Sequence, residues 1–278
     1  MPALRGVNSL ERIRDGAAMK ATIPASAGAK AWVALLLTLA AGYVDIVGFL
    51  GVYHTFTAQM TGTTVHLGSW LAEHNWGGAT VAGTVIAAFV LGSIAGRILI
   101  EMGSRRGVRS IATVTLALET LLLAAFIPLA RRATDAGLAR PASAAALLAM
   151  LAAAMGLQTA TLTRVGPLTV HTTFVTGMLN KLAQLVAHLI LHTYDLLRAK
   201  LSDEKLIHQQ NQRQALHNAL FIFGIWCCYL AGAVAGRFME SRWKVQALYV
   251  PILLLLIGIA VDRWRPLSLE EGQDQPEK

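Results

Sequence analysis

The chain has 278 residues, of which 55% are hydrophobic and 14% are charged, and its mean hydropathy is +0.52. Water-soluble proteins carry about 25% charged residues, so this composition argues against a soluble enzyme. The net charge of +8 raises the alternative of a nucleic-acid-binding protein. However, Lys and Arg lie mostly at the ends of apolar blocks, without interleaved aromatic residues for base stacking. We therefore predict an integral membrane protein with no nucleic-acid partner.

Six apolar blocks have close to the roughly 20 residues that cross a bilayer. They cover 31–51, 80–100, 110–130, 142–162, 217–238 and 245–261. Two further segments, 56–71 and 168–191, are more polar and rich in threonine, and they are either full helices or re-entrant ones. The predicted fold is an all-α, polytopic transmembrane helical bundle.

The distribution of basic residues predicts the orientation, because cytoplasmic loops are enriched in Lys and Arg. With six crossings and a cytoplasmic amino terminus, 18 of the 24 basic residues lie on the cytoplasmic side and 6 outside. With eight crossings, and Lys181 left within the membrane, the division is 15 to 8. Six crossings are favoured, with both termini in the cytoplasm.

The charged segments divide the chain into three regions, the second of which contains a polar insertion. Residues 1–30 form a mixed-charge cytoplasmic segment, and 31–266 form a single transmembrane domain. Because the first apolar block has full spanning length, we expect it to stay as a helix and not to be cleaved as a signal peptide. A polar insertion at about 195–214 is predicted to be an amphipathic or disordered cytoplasmic loop, and the acidic tail 267–278 to be disordered.

The same landmarks recur in the same order in the two halves of the chain. Met60-Thr61-Gly62 precedes the run Leu-Gly-Ser-Ile-Ala-Gly-Arg at 91–97, and Val175-Thr176-Gly177 precedes Ala-Gly-Ala-Val-Ala-Gly-Arg at 231–237. This order indicates an internal repeat with halves at about 31–130 and 142–262. Three crossings per half would make the copies inverted, and four would make them parallel. Chance similarity between helices rich in glycine and alanine is the alternative.

Several of these residues resemble a known family. The resemblance rests on Gly-Tyr-Val-Asp at 42–45, Phe56 with Gln-Met-Thr-Gly-Thr-Thr at 59–64, Gly-Leu-Gln at 156–158 and Thr-Thr-Phe-Val-Thr-Gly at 172–177. In this order they resemble the bacterial YoaK family of uncharacterised membrane proteins. Thr63 and Thr159 stand where that family usually has asparagine. The resemblance implies a small polytopic protein of the bacterial inner membrane, similar to a transporter, and names no substrate.

Asp45 is an acidic residue inside the first apolar block. An unpaired carboxylate at such a position costs about 2.5 to 3.5 kcal/mol on insertion scales. Its neighbours on the helix face, Thr38, Ala41, Gly42 and Gly48, are small, so the carboxyl group is expected to face protein. Two roles remain open: a group that couples transport to protons or cations, and a cap for a neighbouring broken helix.

The two Thr-Gly segments are the best candidate binding elements. Their hydroxyls can hold a small polar ligand, and helices interrupted at corresponding positions of two repeats commonly point their ends at a site in the middle of the membrane. The alternative is ordinary helix packing, with the hydroxyls bonded to their own helix. The predicted substrate- or ion-binding residues are Asp45, Thr61, Gly62, Thr63, Gln158, Thr176, Gly177 and Asn180.

Two further groups of residues receive structural predictions. Glu119, inside the third block, is expected to form a buried ion pair with Lys181. Gly92 and Gly96, and likewise Gly232 and Gly236, form GxxxG patterns that favour close helix packing within one chain or between subunits.

A metal site has little support in the sequence. His188, His192 and Asp195 have helical spacing for three ligands, but HxxxH alone is a weak motif. The peptidase signature HExxH and the nucleophile motif GxSxG are absent from the sequence. We predict no metal, no cofactor and no enzymatic activity.

The predicted function is transport of a small polar solute across the bacterial inner membrane, by rocking of the two halves around a site that includes Asp45. Protons are the expected coupling ion. The alternative is a membrane scaffold or complex subunit that assembles with itself or with another protein through the GxxxG faces.

Overall fold

The computed structural model describes residues 25–135, 141–165, 168–198 and 202–267. This part of the chain is almost entirely helical, with eight α-helices numbered here in chain order. The helices are α1 (Ala25–Gly48), α2 (Met60–Ala72), α3 (Trp76–Arg105), α4 (Ile111–Asp135), α5 (Pro141–Thr161), α6 (Val175–Arg198), α7 (Ser202–Trp243) and α8 (Tyr249–Trp264). The tail 268–278 and residues 1–24 lie outside the described residues.

Three short elements join the helices. A π-helical turn, Phe49–Tyr53, continues α1, and a 3-10 helix, Lys244–Leu248, joins α7 to α8. Between α5 and α6, the strands β1 (Arg164–Val165) and β2 (Leu168–Thr169) pair antiparallel.

Five segments are long and apolar enough to cross a membrane. They are Gly28–Tyr53, Trp76–Arg105, Ile111–Ala133, Ala142–Thr161 and the 53-residue Gln212–Trp264. The last contains two helices, most of α7 and all of α8. The predicted all-α polytopic bundle is confirmed, while the number of crossings stays a prediction.

The two Thr-Gly segments form helices that are not among these candidate spans. Helix α2 has 13 residues and is about 20 Å long, too short for a hydrocarbon core of about 30 Å. Helix α6 has 24 residues but also carries Lys181, His188 and His192. Of the two predicted alternatives, α2 therefore fits the re-entrant one.

The polar insertion does not form the predicted loop. Helix α6 continues to Arg198 and α7 begins at Ser202, while 199–201 lie outside the described residues. The sequence contains neither glycine nor proline from 199 to 223, and charged residues by themselves do not end a helix. Polarity was therefore a poor indicator of a loop at this position.

Glycines bring two pairs of helices into backbone contact. In the α1–α7 pair, a Cβ atom on Gly42 would overlap the carbonyl oxygen of Tyr229, and one on Gly232 would overlap that of Leu39. Small residues allow such close packing in membranes, where hydrophobic burial does not drive helices together.

The α3–α5 pair uses the same arrangement. A Cβ atom on Gly92 would overlap the carbonyl oxygen of Ala153, and one on Gly156 would overlap that of Phe89. Residues 91–99 and 231–239 also show the same order of buried, half-buried and exposed positions. Both GxxxG patterns therefore pack helices inside this chain.

The outer face of α3 is apolar and exposed, in keeping with contact to lipid. Its exposed residues include Val90, Leu91, Ile94, Ile98 and Met102. The largest fully buried side chains include Tyr43, Leu116, Phe126 and Met155, and most of them lie on α1, α4 and α5. The core thus lies between helices, and the apolar exterior has the character of a membrane protein.

We expect Gly92→Ala to lower the free energy of unfolding by about 1–3 kcal/mol, because the new methyl group pushes α3 away from α5. Gly83→Ala on the same helix is the matched control, since nothing lies within 4 Å of a Cβ atom there. That control should be neutral or stabilising by up to about 1 kcal/mol. Thermal unfolding in detergent measures both, and equal effects would contradict the packing.

Candidate functional site

Asp45 closes the first helix break, which is residues 54–59 between the π-helical turn and α2. The chain leaves the π-helical turn at His54, whose φ of 47° turns it back toward α1. Asp45 is 3% exposed, and its Oδ1 accepts the N–H groups of Thr57 at 2.7 Å and Ala58 at 2.8 Å. Its carboxylate therefore satisfies backbone donors that the break removes from helical hydrogen bonding.

The other carboxylate oxygen of Asp45 reaches a different helix. The hydroxyl of Tyr229, on α7, donates to Oδ2 at 2.8 Å. One side chain therefore ties the first break to a helix from the second half of the chain. This is the geometry of the capping role that the sequence left open, and charge-assisted hydrogen bonds of this kind are among the strong ones.

The second break lies between the end of α5 at Thr161 and the start of α6 at Val175. It is held by side chains of α5 in a corresponding way. The hydroxyls of Thr159 and Thr173 share a hydrogen bond of 2.7 Å. The Nε2 of the fully buried Gln158 donates to Leu37 O at 2.8 Å and to Thr172 Oγ1 at 3.2 Å. Each break is thus fixed by the end of the helix that precedes it.

The two breaks meet at a cleft of about 330 Å³. Its walls come from the first break, the start of α2, the second break, the start of α6, the middle of α3 and α7, and the last turn of α5. The lining residues are Ala58, Gln59, Met60, Thr61, Phe89, Thr159, His171, Thr173, Phe174, Val175, Thr176 and Tyr229.

The cleft lies halfway along its long helices. Phe89 is the 14th residue of the 30-residue α3, which is about 45 Å long. Tyr229 is near the middle of the apolar part of α7, which begins at Gln212 and ends at Trp243. If α3 and α7 cross the bilayer, the cleft lies near its midplane, where carriers bind their substrates.

Of the predicted binding residues, Thr61 and Thr176 line the cleft, one at the start of each Thr-Gly helix. Asp45 lies one layer behind the cleft, hydrogen-bonded to two of its lining residues, Ala58 and Tyr229. Gln158 lies behind the second break, next to the lining residue Thr159.

The other four predicted binding residues do not line the cleft either. Gly62 packs against the ring of Phe56, and Gly177 against that of Phe174. The Thr63 hydroxyl donates to the carbonyl oxygen of Phe56 at 2.8 Å, and Asn180 is exposed. The two glycines have a packing role at the breaks.

Sequence reasoning missed Phe89 and Tyr229 as parts of the site. Each is an aromatic residue three positions before the first glycine of a GxxxG pattern, Gly92 and Gly232. The same three-residue spacing between aromatic residue and glycine occurs in both halves. This recurrence could have identified the two aromatic residues from the sequence.

His171 gives the cleft an imidazole group. In its neutral form the ring has one nitrogen as a hydrogen-bond donor and the other as an acceptor. A polar solute that offers either kind of group finds a partner there.

The predicted ion pair between Glu119 and Lys181 does not form. The Lys181 ammonium donates to the carbonyl oxygen of Thr169 at 2.9 Å, near the small hairpin. Glu119 is fully buried, and among the described residues neither of its carboxyl oxygens has a hydrogen-bond partner. A backbone carbonyl close to Lys181 takes the place of the expected acid.

Asp262 is a buried acid that the sequence analysis did not select. Its Oδ2 accepts the N–H of Thr113 at 2.8 Å and the Thr113 hydroxyl at 2.7 Å, and its Oδ1 accepts the N–H of Leu267 at 2.9 Å. Asp262 therefore joins α8 to the start of α4. It was not selected because it comes just after the last predicted apolar block, 245–261, where a charged residue is expected to be exposed.

The weak metal candidates do not assemble into a site within the described side chains. The rings of His188 and His192 stack with centroids 6.3 Å apart, and the side chain of Asp195 lies outside the description. No group of three His, Cys, Asp or Glu residues that could hold a metal occurs among the residues described.

The comparison with known families agrees with the fold. The family described as "Protein of unknown function (DUF1275)" matches residues 33–261. The chain therefore belongs to the DUF1275 family. It is also 25% identical over 238 residues to the UPF0700 transmembrane protein YoaK of Bacillus subtilis (strain 168), covering 85% of this chain and 95% of that protein. The YoaK-like resemblance is thus confirmed, and the protein is a multi-pass membrane protein. No solved structure matches it significantly.

We expect Asp45→Ala to lower the free energy of unfolding by about 3 kcal/mol, because it leaves two backbone N–H groups and a tyrosine hydroxyl without their acceptor. Asp45→Asn keeps one acceptor oxygen and should lose less. Tyr229→Phe removes a single hydrogen bond, with a loss of about 1 kcal/mol. Chemical unfolding in detergent ranks the three variants, and a neutral Asp45→Ala would contradict the capping role.

Proposed function

We propose that this DUF1275 protein carries a small polar solute across the bacterial inner membrane, with both termini in the cytoplasm, and that the cleft between the two breaks is its binding site. The observation that carries the proposal is the convergence of both Thr-Gly helix starts, with Thr61 and Thr176, on one cleft. Backbone groups at helix starts, hydroxyls and an imidazole are suited to a polar ligand.

We also infer an inverted internal repeat, which fits this proposal. Helices α1–α4 and α5–α8 follow the same order: a first apolar helix, a Thr-Gly helix, a long helix with GxxxG, and a last apolar helix. The packing glycines also correspond: Gly42 with Gly156, and Gly92 with Gly232. With three crossings in each half, the second copy is inverted relative to the first. Asp45 and Thr159 then occupy equivalent positions, each bonded to its own break.

The contacts between helices favour a different movement from the rocking of the two sequence halves that we predicted from the sequence. Helix α1 of the first half packs on α7 of the second, and α5 of the second half packs on α3 of the first. Each tightly packed pair therefore contains one helix from each half. In our proposal these mixed pairs move against each other around the cleft, in place of the two sequence halves.

The scaffold alternative depends on free GxxxG faces. Both faces are occupied inside the chain, where Gly96 contacts α5 and Gly236 contacts α1. The packing therefore favours the carrier over assembly through these glycines.

Uptake by proteoliposomes tests the proposed function. The probes are a panel of labelled amino acids, monocarboxylates and monosaccharides, each assayed with and without imposed ion gradients. We expect at least one member to enter faster than it enters protein-free vesicles. Absence of flux for every member under every gradient would count against the carrier.

For a transported solute, Thr61→Val should lower kcat/KM about tenfold, the effect of losing one hydrogen bond worth about 1.4 kcal/mol. Thr64→Val on the same helix is the matched control, because Thr64 is exposed, lies outside the cleft and donates to Met60 O. That variant should transport normally. Equal losses of kcat/KM in both variants would contradict a role of the cleft in transport.

A further inference from the structure

Glu119 is the most unusual polar residue of the described structure. It lies in α4, within the candidate span Ile111–Ala133, and its exposure is 0%. Both carboxyl oxygens are without hydrogen-bond partners among the described residues. The other buried acids differ: Asp45 and Asp262 accept backbone N–H groups, and Glu240 pairs with Arg237.

An ionised carboxylate is not stable in such surroundings. Moving a charge out of water without a partner costs several kcal/mol even after the protein relaxes. Taking up a proton removes that charge and turns the acid into a neutral hydrogen-bond donor. Asp45, in contrast, has hydrogen-bond donors for both of its carboxyl oxygens.

The elements packed against α4 offer no charge to replace the proton. Helix α5 has no titratable side chain, and those of α8 lie near its two ends. The charged residues in the second half of α3 and in the 3-10 helix are exposed. These groups are Tyr249, Asp262 and Arg263 on α8, Arg97, Glu101 and Arg105 on α3, and Lys244.

A hydrogen-bond acceptor lies on the neighbouring helix. The hydroxyl of Thr161 on α5 donates to that of Thr115 on α4 at 2.8 Å, which fixes the register of the two helices. Glu119 lies about one turn from Thr115 on α4, and Gln158 lies about one turn from Thr161 on α5. The Oε1 of Gln158 is buried and, like the Glu119 oxygens, has no partner within the described structure.

We propose that Glu119 is the proton-binding site of the carrier, a carboxylic acid whose proton is shared with Oε1 of Gln158. Through Nε2, Gln158 also holds the hydroxyl of Thr172, next to the cleft residue Thr173. The protonation of Glu119 is thereby connected to the second break. The use of this proton for coupling rests on the proposed transport function, while its presence on Glu119 does not.

Labelling with dicyclohexylcarbodiimide tests the proton site in the full-length protein in lipid nanodiscs. The reagent adds to a protonated carboxyl group: the carboxyl oxygen bonds to the central carbon, the proton moves to a nitrogen, and the acyl group then migrates to nitrogen. No atoms leave, so peptide mass mapping finds the whole reagent on the modified residue.

We expect Glu119 to be labelled at a nearly constant level from about pH 6 to 8. Asp262, equally buried but hydrogen-bonded, is the internal control and should remain unlabelled. Glu119→Gln should abolish the label. An unlabelled Glu119 in folded protein, or equal labelling of Asp262, would overturn the proton site. Protection by Na⁺ at constant pH would replace it with a cation site.

Infrared spectroscopy tests the connection to Gln158. The difference spectrum between wild type and Glu119→Gln should contain the C=O band of a protonated carboxylic acid, and this band should shift in Gln158→Leu. An unshifted band would overturn the pairing. Neither measurement requires flux, so a carrier without detectable substrates and a chain without this proton give different results.

Discussion

Asp45 accepts hydrogen bonds from two backbone N–H groups of the first break and from Tyr229 on a helix opposite. A chain that interrupts a helix inside a membrane must satisfy the freed backbone groups within the protein, because lipid offers them no partner. A carboxylate with four accepting sites meets that requirement. The first break, the start of α2 and one wall of the cleft all depend on this one side chain.

The glycine contacts set the second constraint. They bring α1 against α7 and α3 against α5 at backbone distance, so neither pair can separate easily. The cleft lies where both pairs and both breaks meet, with Phe89 and Tyr229 at corresponding positions on its walls. Movement between two rigid pairs would change this cleft more than any other part of the molecule.

The fold was largely predictable because apolar blocks of spanning length, glycine patterns and basic flanks are local properties of the sequence. Thr61 and Thr176 were predictable for the same reason. The partners of the buried acids were not, because they are set by packing between distant segments. Asp45 and Glu119 look alike in sequence, yet Asp45 receives backbone donors from a break, while Glu119 has no hydrogen-bond partner among the described residues. The role of Tyr229 likewise depends on α7 returning to α1.

In the proposed carrier, the cleft opens to each side of the membrane in turn. This movement is tested by labelling of Thr61→Cys with a membrane-impermeant maleimide, in a chain whose half-buried Cys227 and Cys228 are replaced by alanine. Reagent is added to right-side-out or inside-out vesicles. We predict that Cys introduced at this position reacts from both sides, while the membrane stays sealed to the reagent. Reaction from one side only, under every gradient and solute tried, would contradict it.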